Sequence, residues 1–427
     1  MIDFIKLSVP FKDSYTMTTK EVNGVSTVYV DIQECAVRGV PLEARNIEYV
    51  GGTDNSGYEI SDIRHPYESL PSSFSGLSFK IFQGTPLRPA CVELKGSPAK
   101  LLQGHNVYGS TSLSTGAVEM LMILMHNYPD FYEMLNIQDT LLDAIDCTYS
   151  AKLANEVQCK QVIQLLKNIS NGHVRSSVKN EYESTTYFNR NSRHVDRKVY
   201  LKYPEFKKQL DFYNKMTQKG DSRYTRLIDV MSNPQLINYS RNLIRFESRA
   251  HRRYLDKFEV PHKLFDAIKF QYEYEENGSS LIKDIWIKSW DKVFDTFKGE
   301  KMNFNNDEEI RDKLRSVHFS YTPKGNISYN KADRLFIFFK LILNEGYESA
   351  KLLVPKATFN RNVKALVDSG LSKAQLQNLK SQENNVVPLV NIIDVNFENQ
   401  RPSDFIEPIG ELTKLYNFPV EELRVAS

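Results

Sequence analysis

Three short stretches of the chain, residues 144–150, 198–203 and 243–249, alternate apolar side chains with side chains that can do chemistry. Successive side chains of a β-strand point to opposite faces, so three such strands in one sheet would gather the polar set on one face. Two carboxylates, a tyrosine, a lysine and arginines together suit metal-assisted phosphoryl transfer on DNA with a tyrosine nucleophile. The residues on the polar side are Asp146, Thr148, Ser150, Tyr200, Lys202, Arg245, Glu247 and Arg249.

A second interpretation of the same pattern needs no chemistry. Polar side chains that alternate on a half-buried antiparallel strand commonly just face water. The chain contains 23 tyrosines, so a tyrosine and a lysine on one side of a strand do not by themselves make a site. The pattern alone leaves both interpretations open.

The segments around the three stretches predict how a fold would position them. Their order of strand, helix, strand, helix, strand predicts an α+β fold with a central, mainly antiparallel sheet and flanking helices. A mostly helical C-terminal domain is predicted to follow. Further strands are predicted over residues 25–32, 77–82 and 91–95, and helices over 116–135, 155–168, 207–219, 333–343, 348–354 and 356–369.

The same segments divide the chain into three parts. Residues 1–140 are predicted to be the N-terminal, strand-rich part of the catalytic region, and residues 141–300 its catalytic and DNA-binding core. Residues 302–427 are predicted to form the helical domain. The polar stretch 297–307 is the predicted linker before it.

One C-terminal segment could read DNA. The helix predicted over residues 356–369 has apolar residues at helical spacing and carries Lys356, Arg361 and Lys364 at other positions. A turn followed by a basic-faced helix is typical of a helix-turn-helix DNA reader. An amphipathic helix packed on its neighbours explains the pattern equally well.

Positive charge is concentrated in the middle of the chain. Between Lys160 and Arg253 there are 20 Lys and Arg and 8 Asp and Glu, a net charge of +12, whereas the rest of the chain carries −10. Such asymmetry indicates a polyanionic partner, although a solvated basic helix face would give the same count. Aromatic residues among the cations suit unstacked bases of single-stranded nucleic acid. Arg193 lies in this block and is a predicted DNA contact.

Several other classes of protein are disfavoured. The four cysteines form no Cys-x-x-Cys pair, so zinc and dithiol sites are not expected. No two histidines are separated by one residue, and the Gly-x-x-x-x-Gly-Lys-Ser/Thr loop of an ATP-driven helicase is absent from the sequence, so unwinding would need a partner. No apolar run is long enough to span a bilayer, and no signal peptide is recognised.

Uncommon strings, in one order along the chain, resemble the gene II replication-initiation proteins of filamentous phages. The similarity runs from Met1 to about Pro402. The strings are His65-Pro-Tyr-Glu-Ser-Leu-Pro71, Ser97-Pro-Ala-Lys-Leu-Leu-Gln-Gly-His-Asn106, Glu183-Ser-Thr185, Ser192-Arg-His194, Tyr200-Leu-Lys202, Phe265-Asp-Ala-Ile268 and Asn385-Val-Val-Pro-Leu-Val390.

The resemblance implies a rolling-circle initiator that nicks the viral strand at the origin and later joins the displaced strand into a circle. It implies that the tyrosine of the Tyr-Leu-Lys string, Tyr200, becomes linked to the 5′ phosphate. It also implies a possible shorter product from an internal start at Met302. The expected partners are the viral origin duplex, displaced single-stranded DNA, and host helicase and polymerase, in the host cytoplasm and without a membrane. No role is assigned to the tail after Pro402.

With Tyr200 as nucleophile, the other residues receive expected roles. A free tyrosine has a pKa near ~10, so Tyr200 needs activation by a metal or by Lys202. Asp146 and Glu247 are the expected ligands of Mg²⁺, or Mn²⁺, because these ions prefer carboxylate oxygens. Arg245 or Arg249 could clamp the phosphate.

Two other functions use the same features. A non-catalytic origin-binding replication or copy-control protein would use the basic block and the C-terminal helices. A metal nuclease with an activated water would use the carboxylates without Tyr200. A covalent link between protein and DNA separates the tyrosine mechanism from both.

Overall fold

The structure is a computed structural model, and it describes residues 1–18, 27–50, 57–85, 88–172, 174–176, 184–299, 306–379 and 395–417. The strands in these ranges are β1 (Ile2–Pro10), β2 (Thr16–Thr18), β3 (Val28–Val30), β4 (Glu43–Val50), β5 (Gly57–Arg64), β6 (Glu68–Leu70), β7 (Leu77–Phe82), β8 (Cys91–Gly96), β9 (Leu141–Lys152), β10 (Ser170–Asn171), β11 (Val174–Arg175), β12 (Thr185–Phe188), β13 (Val195–Leu201), β14 (Leu243–His251), β15 (Ser320–Tyr321) and β16 (Ile327–Ser328).

Helices follow and separate the strands. They are α1 (Ile32–Val37), α2 (Pro98–Gln103), α3 (Leu113–Asn127), α4 (Pro129–Tyr132), α5 (Glu156–Lys167), α6 (Lys202–Gln218), α7 (Thr225–Met231), α8 (Pro234–Ser240), α9 (Arg252–Leu255), α10 (Leu264–Glu275), α11 (Leu281–Phe294), α12 (Asp307–Val317), α13 (Asn330–Glu345), α14 (Tyr347–Leu353), α15 (Lys356–Asp368), α16 (Lys373–Asn378) and α17 (Glu411–Leu415).

The fold is built on one eight-stranded sheet in the order β12-β13-β14-β9-β1-β8-β7-β6, and every neighbouring pair in it is antiparallel. Helices flank this sheet, and a helical region follows at the C-terminal side. The predicted α+β class is therefore confirmed. The strands predicted over 77–82 and 91–95 are confirmed as β7 and β8, and the two pair directly.

The three polar stretches lie side by side as β13, β14 and β9. Tyr200 is opposite Arg245, Lys198 is opposite Glu247, and Arg249 is opposite Asp146. Residues opposite each other in an antiparallel pair share a face of the sheet. The expected polar face, which comprises the alternate residues of β9, β13 and β14 together with the neighbouring side chains of β1, is therefore present.

The other face of the same strands is the core. Cys147 and Tyr149 of β9 are buried there, and the ring of Tyr149 lies 5.3 Å from that of Trp286 on α11. Trp286 also donates from Nε1 to the carbonyl of Phe246 on β14, 2.9 Å away. Each large apolar side chain buried in this way contributes roughly 1.5–3 kcal/mol. Because the apolar side chains of these strands pack into the core, their polar side chains must lie on the opposite face of the sheet.

Two predicted strands differ from the observed elements. The strand predicted over 198–203 ends at Leu201, and Lys202 is the first residue of α6. Pro204 explains the change, because proline suits the first turn of a helix and cannot donate to a strand ladder. The strand predicted over 25–32 is shorter, because the side chain of Asp31 accepts from Gln33 N at 2.9 Å and caps α1.

The C-terminal helices have a hydrophobic core of their own between Ile310 and Leu379. On α15, Phe359 is buried in that core, while Lys356, Arg361 and Lys364 are exposed. The predicted internal start, Met302, and the linker residues 300–305 lie outside the described residues. No helix of the described ranges is long and apolar enough to cross a membrane.

Residues 395–417, here called the C-terminal strap, lie on the sheet and on α3. Phe397 packs with its ring 5.1 Å from Tyr149 and 5.6 Å from Trp286. The side-chain amide of Gln400 accepts from Ser150 N at 2.7 Å and donates to Ser150 O at 2.9 Å. Gln400 therefore bonds to β9 as a neighbouring strand would.

Further along the strap, a buried carboxylate on α3 receives its donors. Glu119 is 4% exposed and accepts from Leu412 N at 3.2 Å and from Thr413 N at 3.0 Å. The hydroxyl of Thr413 donates to it at 2.7 Å. Because a buried carboxylate needs hydrogen-bond donors, these contacts tie the strap to α3.

Candidate active site

Tyr200 lies one residue before the end of β13 and is only 4% exposed. Its hydroxyl donates to Glu247 Oε1 at 2.6 Å. Burial raises the pKa of Tyr200 well above 10, against the opposing effect of Arg245. The phenol is thus neutral, oriented, and bonded to a group that can accept its proton.

Glu247 is the acceptor in this pair and is also buried. Burial raises the pKa of Glu247 to about 7, and the nearby guanidinium of Arg245 opposes that rise. Arg245 Nη2 is 3.5 Å from Glu247 Oε1, and Lys198 Nζ is 3.8 Å from Oε2. Lys198 Nζ also lies 4.1 Å from the centre of the Tyr200 ring. Both cations would stabilise negative charge on Tyr200.

Arg245 joins this pair to β1. It is completely buried, and its Nη2 donates to Asp3 Oδ2 at 3.1 Å while Nη1 donates to the carbonyl of Asn106. Burial alone would raise the pKa of Asp3, but Arg245 and Lys202 outweigh it and lower that pKa to about 2. Asp3 is therefore ionised and holds the guanidinium in place.

Lys202 approaches the site from the start of α6. Its Nζ donates to Glu205 Oε2 at 2.6 Å and to Asn106 Oδ1 at 2.8 Å, and it lies 6.0 Å from the Tyr200 ring centre. Burial lowers the pKa of Lys202 to about 8, although Glu205 opposes the shift. The described bonds of Lys202 are therefore to these two partners, and its distance from Tyr200 excludes a direct hydrogen bond to the ring.

Asp146 lies on the next strand of the polar face. Arg249 holds it with a two-pronged contact, with Nε at 2.7 Å from Oδ1 and Nη2 at 2.8 Å from Oδ2. Burial raises the pKa of Asp146, and Arg249 opposes the rise. The guanidinium of Arg249 is half-exposed and lies 4.0 Å from the ring centre of Phe4.

Two carboxylates and one hydroxyl on this face could contribute oxygen ligands to a divalent cation. Asp146 and Glu247 are diagonal neighbours on adjoining strands, and Thr148 lies opposite Glu247 between them. Thr148 Oγ1 is buried and has no hydrogen-bond partner among the described residues. These residues include no group of three or more His, Cys, Asp or Glu suited to a metal. An ion here would replace Arg249 at Asp146 and take its other ligands from water and phosphate, as Mg²⁺ does.

The charges of the site balance. The carboxylates are Asp3, Asp146, Glu205 and Glu247, and the cations are Lys198, Lys202, Arg245 and Arg249. A phosphodiester brings an additional negative charge. The partly exposed cations, Lys198 and Arg249, can pair with it.

The predicted DNA contacts are spread over the molecule. Arg193 is exposed in the turn before β13, and Arg249 is half-exposed at the polar face. Lys356, Arg361 and Lys364 are exposed on α15. Arg245 has only internal contacts among the described residues. A role in DNA binding stays a prediction for all six.

Four residues of the site were not singled out from the sequence. Lys198 could have been predicted from the sequence, because it is two residues from Tyr200 and therefore lies on the same side of the strand. Glu205 could have been once Lys202 is recognised as helical, since positions three apart on a helix are neighbours. Asn106 lies in one of the strings on which the resemblance drawn from the sequence rests. Asp3 gave no local signal, because only sheet pairing brings it to the site.

The arrangement can support nucleophilic attack by a phenol. Tyr200 has a proton acceptor in Glu247 and cations on more than one side. Tyr200 is also among the residues that line an open pocket, although only 4% of its surface is exposed. Nucleophile, acceptor and orienting group in hydrogen-bond contact are the general pattern of covalent catalysis.

Comparison with known proteins identifies the family. A model of the N-terminal region of the phage replication-associated protein, the gene II product, matches residues 1–277, and a model of its C-terminal region matches residues 321–410. The replication-associated protein of Enterobacteria phage fd is 41% identical over 411 residues, which cover 96% of this chain and 99% of the relative. Its namesake from Salmonella phage IKe is 41% identical over 412 residues, which cover 96% and 97%. The resemblance drawn from the sequence is confirmed, and the chain belongs to the family of gene II replication-associated proteins of filamentous phages.

Proposed function

We propose that this chain initiates rolling-circle replication of a filamentous phage. It binds the viral origin, nicks the plus strand through Tyr200, and later rejoins the displaced single strand into a circle. The names of the relatives support a role in replication. The observation that carries the proposed chemistry is the Tyr200 hydroxyl, bonded at 2.6 Å to Glu247 and surrounded by cations.

In the nicking step, the Tyr200 oxygen attacks the phosphorus of the scissile phosphodiester. The new bond joins phosphorus to the tyrosine oxygen, and the bond from phosphorus to the 3′ oxygen breaks. The phenol proton passes to Glu247, and the departing 3′ oxygen takes a proton from water. Lys198 and Arg245 offset the negative charge during the transfer, which is the main task of a phosphoryl-transfer site.

Rejoining runs the same step in reverse with a different 3′ end. The phosphotyrosine keeps the energy of the broken phosphodiester, so a 3′ hydroxyl can displace Tyr200 without ATP. The 3′ hydroxyl gives up its proton to the solvent, and the Tyr200 oxygen regains one from Glu247. A nuclease that used water would release a free 5′ phosphate and lose this ability.

Asp146 and Glu247 would hold Mg²⁺ or Mn²⁺ on the polar face. When bound, such an ion offsets the charge on the phosphate oxygens. Lys202 supports the site from α6, where Asn106 and Glu205 fix its ammonium. Recruitment of a host helicase and polymerase follows from the proposed role, because the sequence has no ATP-binding loop of its own.

The test is a search for the covalent intermediate. The protein is incubated with Mg²⁺ and a supercoiled plasmid that carries the phage origin, and the products are run on a denaturing protein gel. We expect nicked plasmid and a protein band that carries the DNA strand by its 5′ end. Nicking without the band would favour the metal nuclease, and binding without nicking would favour the non-catalytic origin binder.

Changing Asp146 tests the metal assignment. We expect Asp146→Ala to bind origin DNA yet to need at least about tenfold more Mg²⁺ for half-maximal nicking, since it removes a ligand. Glu247→Ala should fail at every Mg²⁺ concentration, because Tyr200 also loses its proton acceptor. The measurement is a Mg²⁺ titration of EDTA-treated protein.

Asp143→Ala is the matched control for Asp146. Asp143 lies on the same strand, but its carboxylate accepts from Ser8 at 2.6 Å, away from Tyr200. We expect its Mg²⁺ requirement to equal that of the wild type. An unchanged requirement in Asp146→Ala would remove that residue from the metal site.

A further inference from the structure

A pocket of about 360 Å³ opens beside Tyr200, between α6 and the strands β12 and β13. We infer that this pocket receives one unstacked nucleobase of single-stranded DNA, next to the phosphate that Tyr200 attacks. The inference rests on the proposed function and adds where a base is held. The lining residues used below are Thr185, Lys198, Tyr200, Lys208, Phe212 and Tyr213.

The outer wall of the pocket is one side of α6. Glu205, Lys208 and Phe212 follow one another at spacings of three and four residues, so they lie on the same side of the helix. Phe212 is 50% exposed, although it is a large apolar side chain. A lone exposed phenylalanine would be ordinary, but this one lines the same pocket as the candidate nucleophile.

The rings of two tyrosines, Tyr213 and Tyr224, contact the ring of Phe212. Its centre lies 5.7 Å from that of Tyr213, with an angle of 66° between the ring planes, and 6.1 Å from that of Tyr224, with an angle of 71°. Tyr213 and Tyr224 stack on each other at 5.1 Å. These edge-to-face contacts orient Phe212 without covering it. Half of the side chain therefore stays available to a planar ligand.

The pocket also has cations that can pair with the phosphate attached to a bound base. Lys198, with its side chain about one-third exposed, lies between the pocket and Glu247. Lys208 is exposed at the rim. The only carboxylate among the lining residues, Glu205, is bonded to Lys202 at 2.6 Å. The net charge thus favours an anion next to the aromatic surface.

An unstacked base fits this combination better than a duplex does. A base pair inside a duplex is stacked on both faces and offers no free π-surface to Phe212. Single-stranded DNA offers that surface, and aromatic platforms beside cations are the usual means of binding it. Thr185, opposite Tyr200 on β12, brings a hydroxyl that can bond to a base edge. The pocket volume lies within the range of sites for small organic groups.

The test uses the full-length chain with Tyr200→Phe, so that no cleavage occurs during binding. Single-stranded origin oligonucleotides that span the nick are bound with either a normal or an abasic nucleotide at each position beside the nick, and affinity is measured by fluorescence anisotropy. We expect Phe212→Ala to weaken binding of the normal strand by about 5- to 150-fold, the range for loss of one base–aromatic stack. At one flanking position, the abasic strand should bind the Tyr200→Phe protein and the Tyr200→Phe, Phe212→Ala protein with equal affinity. Phe212→Trp should restore the preference for the base.

Phe319→Ala is the matched control. Phe319 is 49% exposed, also contacts a tyrosine ring edge-on, and is not part of this pocket. Its replacement should leave the difference between normal and abasic strands unchanged. Equal weakening of normal and abasic strands by Phe212→Ala at every position, or no weakening, would overturn the inference.

The two proposals can fail separately. Wild-type protein that forms no covalent link to origin DNA would overturn the proposed function. A wild-type link combined with a base-independent effect of Phe212→Ala would overturn only the base pocket. Preferential binding of duplex origin DNA through Phe212 would likewise count against an unstacked base.

Discussion

Tyr200→Phe is expected to abolish nicking and covalent attachment while origin binding stays close to that of the wild type. The substitution keeps the aromatic ring, its burial and its 4.1 Å contact with Lys198, and removes only the hydroxyl that Glu247 orients. Without that oxygen, no bond to phosphorus can form. The measurements are the denaturing-gel assay for the covalent band and a filter-binding titration with origin DNA.

Tyr203→Phe is the control for this experiment. It makes the same chemical change three residues away, where the ring lies 5.2 Å from the guanidinium of Arg241. We expect it to nick and to form the covalent link normally. Peptide mass spectrometry of the wild-type band should then place the nucleotide on Tyr200. A covalent band from Tyr200→Phe would show that another tyrosine is the nucleophile.

The second large effect concerns stability. Arg245→Met is expected to lower the free energy of unfolding by about 3–5 kcal/mol, because it removes the cation paired with the buried carboxylate of Asp3 and one of the two cations beside Glu247. Methionine has a similar length and no charge, so little volume is lost. The measurement is urea denaturation followed by circular dichroism and tryptophan fluorescence.

Arg223→Met is the comparison. Arg223 also makes a two-pronged contact, to Asp221 at 2.9 and 2.7 Å, but its side chain is 79% exposed. Exposed ion pairs contribute little, so we expect its denaturation curve to overlay that of the wild type. If the two substitutions destabilise the protein equally, the buried network around Arg245 does not have the structural role assigned to it.

The sequence predicted the local part of the fold well. Period-two alternation over 144–150 and 243–249 predicted strands β9 and β14 and the faces on which Asp146 and Glu247 lie. The helix predicted over 155–168 was correctly started at Asn155, whose side chain accepts from Gln158 N. These features depend on a few neighbouring residues, so one sequence is sufficient to predict them.

Lys202 was predicted to lie on a strand, and that prediction was wrong because of a nearby residue. The alternation of polar and apolar side chains continues through Lys202 and Tyr203. A helix nevertheless begins at Lys202, with Pro204 in its first turn. The lysine therefore reaches the site from a helix terminus rather than from the strand. A period of two over six residues could not distinguish these outcomes, whereas the proline could.

Long-range pairing explains what the sequence did not predict. Asp3 meets Arg245 across 242 residues, and Asn106 meets Lys202 across 96. Neither contact has a local pattern, because sheet order and the position of α2 create them. The pairing of Glu247 with Tyr200 also needed the register between β13 and β14.

The C-terminal strap has a consequence for how the protein folds during synthesis. Gln400 covers the end of β9 at Ser150, 250 residues earlier in the chain. At about 5–20 residues per second, those 250 residues take about 12 to 50 s to synthesise. During that time the main-chain N–H and C=O of Ser150 lack their final partner, and Glu119 lacks its donors from the strap.

An uncovered strand end of this kind can pair with another chain. Nascent chains that stall before Gln400 should therefore aggregate more readily than complete ones. Folding should also be slow, because contacts between distant residues pay a large loop-closure cost before they form. The strap thus makes its own synthesis the step at which the earlier-made part of the sheet becomes protected.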